Sequence, residues 1–168
     1  MARDHARIQT ARQRDKDWRA LNVDAQWTYD TILTQEGVSY VGVVDYFPGR
    51  IAAVANGMTP RRVESAIKTL ESARFVILDR TTSELCARTF VRHDGVLARV
   101  NMGKATGRAL AKVVSQDIRD AVMVELAKCY RDDSHAAGWV GFAELYPDDF
   151  GAVKAMASAM RSPMASSV

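Results

Sequence analysis

Three features of this 168-residue sequence predict a mainly α protein with a small β component. Two short helical patterns meet at a tight turn over residues 57–59. Two runs rich in apolar and β-branched residues follow at once, joined by the polar turn DRTTSE. Further helical patterns then fill the rest of the chain. In this order they make a winged helix-turn-helix followed by a C-terminal helical extension. The expected layout is a flexible basic arm over residues 1–14, a winged-helix unit over 15–97, the helical extension over 98–161 and a disordered tail over 162–168.

Each element has its own signal. Residues 21–37 read as a first helix, with Asn22 as N-cap, Asp24 in the first turn and Gly37 at the C′ position. Ala25, Tyr29, Ile32 and Leu33 form its apolar stripe. Residues 38–47, VSYVGVVDYF, suit a strand. Pro48 opens a short helix that runs through GRIAAVAN and stops at Gly57. Thr59 caps the next helix, Pro60 takes its first position, and Met58 staples onto Val63. Val63, Ala66, Ile67 and Leu70 then face the core. Residues 75–78 and 85–91 read as the two strands of a wing. Residues 100–114 and 115–131 read as helices, the second capped by Ser115. DDSHAAGWVG reads as a loop, and DFGAVKAMASAM as a last helix.

Composition excludes several classes. No stretch approaches the roughly 20 apolar residues that span a bilayer, and the polar N-terminus lacks the apolar core of a secretory signal. Cys86 and Cys129 are far apart and read as reduced core thiols, as in a cytoplasmic protein. His5, His93 and His135 are dispersed, with no partner at metal-ligand spacing. His93 beside Asp94 suits a turn better than a catalytic pair. GKATGR fails as a phosphate loop because Ala105 follows the lysine where Ser or Thr is needed; its Gly103–Gly107 spacing suits close helix packing instead. The expectation is no enzyme, no cofactor and no metal.

Charge supplies the positive signal. Residues 48–114 carry twelve basic against five acidic side chains, between two acidic blocks, although the whole chain is only +3. A localised basic surface is the footprint of a polyanion partner. On the helix after Thr59, the face opposite the core carries Arg61, Arg62, Ser65, Lys68, Thr69 and Ser72. The second helix of a helix-turn-helix enters the major groove with its first residues at the base edges. There arginine matches the guanine acceptors. Arg61 and Arg62 are the expected readers, with Ser65, Lys68 and Thr69 behind them. The wing adds Arg80 and Thr81 at its tip and Arg88 on its second strand, and Arg50 in the preceding helix would touch the DNA backbone. Arg3, Arg7, Arg12 and Arg14 form a basic arm suited to a minor groove.

Three segments also carry a resemblance: DKDWRAL over residues 15–21, YVGV over 40–43 and RTFVRHDGV over 88–96. Together they resemble a helix-turn-helix family of actinobacterial phages, prophages and integrative elements. It is similar to the N-terminal domains of phage replication initiators and DnaD-like replisome organisers. The resemblance covers roughly residues 15–130. It implies a winged-helix protein that binds double-stranded DNA in the host bacterial cytoplasm, associated with the nucleoid. The role would be replication initiation, or transcriptional control as a homodimer on an operator, with a replication or transcription protein as partner. The alternative is a winged-helix protein–protein interaction module without DNA binding.

Overall fold

The computed structural model describes residue 7 and residues 10–161. It is mainly helical, with one three-stranded antiparallel sheet. After a 3-10 turn at Thr10–Arg14 comes a five-residue helix, α1 (Lys16–Ala20), capped by the Asp15 carboxylate. Helix α2 (Val23–Thr34) starts at Asn22, whose side chain accepts the Ala25 N–H at 2.8 Å. It ends at Gln35, short of Gly37.

The expected strand over residues 38–47 shrinks to β1 (Val43–Asp45). Its first half is consumed by a turn. The Ser39 hydroxyl and carbonyl take the N–H groups of Val43 and Gly42, and Gly42 adopts a left-handed φ of 77°. A side chain at Gly42 would also strike Phe90, at 2.4 Å. Helix α3 (Pro48–Ala52) is likewise shorter than expected, and a turn carries the chain on to Gly57. Helix α4 (Pro60–Ser72) begins as expected, with the Thr59 hydroxyl on the Arg62 N–H and Val63, Ala66, Ile67 and Leu70 buried.

Strands β2 (Val76–Asp79) and β3 (Glu84–Ala87) form the hairpin, and β1 joins the free side of β3, giving the order β1-β3-β2. The second strand was expected to reach residue 91. Instead Phe90–His93 is a short helix, α5. Phe90 and Val91 are adjacent and both buried. Cross-strand pairing ends where the Arg88 N–H meets the Phe75 carbonyl; beyond it the Arg92 and Asp94 N–H groups close on the Thr89 and Phe90 carbonyls, and the helical turn carries both side chains into the core.

The extension is α6 (Val100–Ala111), α7 (Gln116–Asp132), α8 (Gly138–Leu145) and α9 (Pro147–Arg161). Helix α8 occupies residues 138–141, which were expected to be loop. Its glycines are contact surfaces, not breakers. A Cβ on Gly103 of α6 would lie 1.8 Å from the Gly138 carbonyl oxygen, and one on Gly141 would lie 2.0 Å from that of Val100. The two helices cross backbone to backbone, so the expected close packing at Gly103 is present.

All four residues of β3 are buried. Side chains alternate along a strand, so both sheet faces are covered. Helix α2 packs on β3, while α4 and α7 both pack on β2. Leu85 and Cys86 join α2, α4 and α7 residues in a single hydrophobic cluster.

Candidate nucleic-acid interface

Helix α4 presents the stripe expected of it. Arg61, Ser65, Lys68 and Ser72 are exposed, and Thr69 is half-buried. These positions recur at the three- to four-residue spacing of one helix face. Arg61 has no hydrogen bond or ion pair among the described residues.

Arg62 behaves differently from its neighbour. Its Nε and one Nη bond both carboxylate oxygens of Asp24 at 2.8 and 2.5 Å, and its other Nη bonds the Gly57 carbonyl at 2.7 Å. The hydrogen bond from Arg62 holds the Asp24 carboxyl below its usual range, and the same bond raises the guanidinium. The sequence reading made Arg62 a base reader. In this structure it is a clamp that ties the start of α4 to the start of α2 and to the turn between α3 and α4. The charge that opposes the α4 dipole is thereby offset by an acid from another helix.

Two hydroxyls on the stripe are also committed. Thr69 donates to the Ser65 carbonyl at 3.2 Å and Ser72 to the Lys68 carbonyl at 2.9 Å. Such back-bonding leaves the hydroxyl oxygen as an acceptor only, so Thr69 does not offer a phosphate its proton in this state. An open cleft of about 670 Å³ runs between α1 and α4, with Ser65, Lys68 and Arg74 on one wall and Asp17, Ala20 and Leu21 on the other.

The hairpin tip is short and anchored. Asp79 accepts the Thr81 and Thr82 N–H groups at 2.8 and 3.3 Å. A bond from the Ser115 hydroxyl and the Thr81 N–H hold its carboxyl below the usual range. The buried Glu84 carboxylate takes the Val114 and Ser115 N–H groups at 3.0 and 2.6 Å, so a hairpin residue fills the anion site ahead of α7. Arg80 and Thr81 remain exposed at the tip, with the Arg80 guanidinium 5.9 Å from the centre of the Tyr46 ring.

Other expected contacts lie elsewhere. Arg88 follows β3 and donates from Nε to the Arg74 carbonyl at 2.9 Å, bracing the far end of α4 from Arg61. Arg50 stacks on Phe47 at 4.6 Å and lines a separate cleft beside β1 and the end of α2. The basic arm is not wholly loose: Arg12 forms a two-pronged pair with Asp30 at 2.6 and 2.8 Å and lies 4.2 Å over Trp18. Arg14 is exposed, while Arg3 lies outside the described residues.

No group of three or more metal-ligating side chains converges among the described residues. Burial pushes the Cys86 thiol up to about 12 and Cys129 to about 11, and it lowers His93. No helix among the described residues is long and apolar enough to cross a membrane.

Comparison with protein-family models, curated proteins and solved structures gives no match.

Proposed function

We propose that this chain is a winged-helix protein that binds double-stranded DNA, with α4 as the helix that enters the major groove. The observation that carries the reading is the uncovered stripe Arg61–Ser65–Lys68 on α4. The helix is held behind a tight turn and flanked by a hairpin whose tip exposes Arg80 and Thr81. The order helix, strand, helix, helix, hairpin supports the same reading, as does the pairing of the first strand with the last. Within it Arg61 is the reader, Arg62 positions the helix, and Lys68 meets phosphate. The resemblance at residues 15–21, 40–43 and 88–96 suggests a role in a phage or mobile element, at a replication origin or an operator.

The test is duplex binding as a function of salt. A protein that neutralises Z phosphates shows log K falling with log salt at about −0.9Z. Binding that is absent, or indifferent to salt, refutes the reading. The internal commitment of Arg62 and Arg88 favours one alternative, an interaction module that keeps its arginines for its own architecture. That alternative predicts a protein partner and no salt-dependent duplex affinity.

A further inference from the structure

We infer that the cleft between α1 and α4 seats the sugar–phosphate backbone of one DNA strand, with Lys68 and Arg74 as its cationic contacts. The inference rests on the DNA-binding reading and gives the α4 site a second contact line that the sequence did not show.

Arg74 is the decisive residue. Helix α4 ends in a two-bond turn: the Arg74 N–H goes to the Glu71 carbonyl at 2.9 Å and the Phe75 N–H to the Leu70 carbonyl at 2.8 Å. This motif places its C′ residue in the left-handed region, where glycine is the usual choice. Here Arg74 holds that place, at φ 61°. Its carbonyl is fixed by Arg88, so the backbone is locked, while its side chain is exposed and lines the cleft. A cation kept where glycine is conformationally favoured points to a use for the guanidinium.

The rest of the cleft fits the same ligand. Lys68, on α4, stands six residues before Arg74, which lies just past the helix end. At 1.5 Å per residue that separates them by roughly 9 Å, a span of about two to three phosphates at 3.4 Å of rise each. Neither is ion-paired among the described residues. The Ser65 hydroxyl is a further donor, since Thr69 and Ser72 spend theirs on the helix. Exposed Ala20, with buried Leu21 beneath it, gives the facing wall a small apolar surface for a sugar. Asp17 is the opposing charge on that wall.

A cation near a helix C-terminus also suits the helix dipole, and the experiment separates the two roles. The full chain is titrated by fluorescence anisotropy against a labelled duplex of about 25 base pairs and arbitrary sequence, over about 50–200 mM salt. Arg74→Gly removes the guanidinium and relieves the left-handed backbone. The expected result is a melting temperature equal to or above that of the parent, several-fold weaker binding, and a salt slope lower by about 0.9. Lys68→Ala lowers the slope equally, and Asp17→Asn strengthens binding. Arg74→Asn, which tolerates the same backbone, repeats the test should the glycine variant fold poorly. An unchanged slope in both Arg74 variants, while the parent chain still binds the duplex with salt-dependent affinity, overturns the cleft and leaves the α4 reading standing. A parent chain without salt-dependent duplex binding overturns both.

Discussion

Gly103→Ala and Gly151→Ala are the same chemical change with opposite expected outcomes. Both glycines are inside helices, α6 and α9. A Cβ at Gly151 meets nothing within 4 Å, whereas one at Gly103 would lie 1.8 Å from the Gly138 carbonyl oxygen and 2.6 Å from its carbon. A carbon ordinarily stays about 3.3 Å from a carbonyl oxygen, so α6 and α8 must part by about 1.5 Å. The obstruction is backbone on both sides, and no side chain can swing away. Gaps of 0.5–1 Å already forfeit about a quarter to a half of each contact's dispersion energy. Overpacking of this kind costs about 1–3 kcal/mol, sometimes more, and the better helix propensity of alanine returns at most about 1 kcal/mol. With backbone as the obstruction the cost sits at the top of that range, so the net expectation for Gly103→Ala is a loss of about 2–3 kcal/mol, the upper part of the range for point substitutions. For a chain of this length that lowers the melting temperature by roughly 4–12 °C. Gly151→Ala gains about 0.5–1 kcal/mol and raises it by a few degrees. Thermal melts followed by circular dichroism, with urea titrations beside them, measure both. If Gly103→Ala melts at or above the parent, the close crossing of α6 and α8 is wrong.

Arg61→Ala lowers the salt slope of duplex binding by about 0.9 if the side chain meets a phosphate. If it reads a base, the loss is about 1–3 kcal/mol on the preferred site alone. Arg62→Ala changes acid stability. The Asp24 carboxyl is held low, so its contribution is present above the unfolded value near 3.9 and is lost as pH falls through the lower folded value. Without Arg62 that acid-side loss flattens in a pH series of melts. Glu84→Ala strands the Val114 and Ser115 N–H groups and costs about 2–4 kcal/mol; Glu84→Gln keeps an acceptor and costs less, as urea titration will show. The thiols of Cys86 and Cys129 stay protonated up to about 12 and about 11. They should resist a thiol reagent at pH 8 until urea unfolds the chain, and their stability contribution falls as pH rises from about 8.5, the unfolded value, through the folded ones.

What the sequence made legible was local. Asn22, Thr59 and Ser115 cap their helices through side-chain oxygens, and a cap needs only its own next three residues. The core stripe of α4 was legible for the same reason: Val63, Ala66, Ile67 and Leu70 repeat at the helical period. What was not legible depended on residues far away in the chain. Gly138 and Gly141 look like breakers until α6 is laid across them. Phe90 and Val91 look like strand until the partner strand runs out at Phe75. Asp24 and Arg62 are 38 positions apart, and their pairing has no sequence period at all. Arg74 escaped notice because an arginine after a helix is ordinary; only its φ makes it unusual.

The two adjacent arginines that begin α4 have separate tasks for a geometric reason. Successive residues on a helix are turned by about 100°, so neighbours cannot both face one groove. Arg61 shares its direction with Ser65, Lys68 and Ser72, and points away from the protein. Arg62 is turned a quarter of a circle toward α2, where Asp24 and the Gly57 carbonyl take up its guanidinium. A lone arginine in a helix's first turn faces the positive end of the dipole, and the neighbouring clamp brings a carboxylate to that same end. Asp24 holds Arg62 and Arg62 fixes the start of α4 against α2; on the proposed DNA-binding reading, that fixed start lets Arg61 present its fork at a constant height. If the chain binds duplex DNA as proposed, removing Asp24 should blur sequence discrimination while leaving the count of phosphate contacts, and so the salt slope, unchanged.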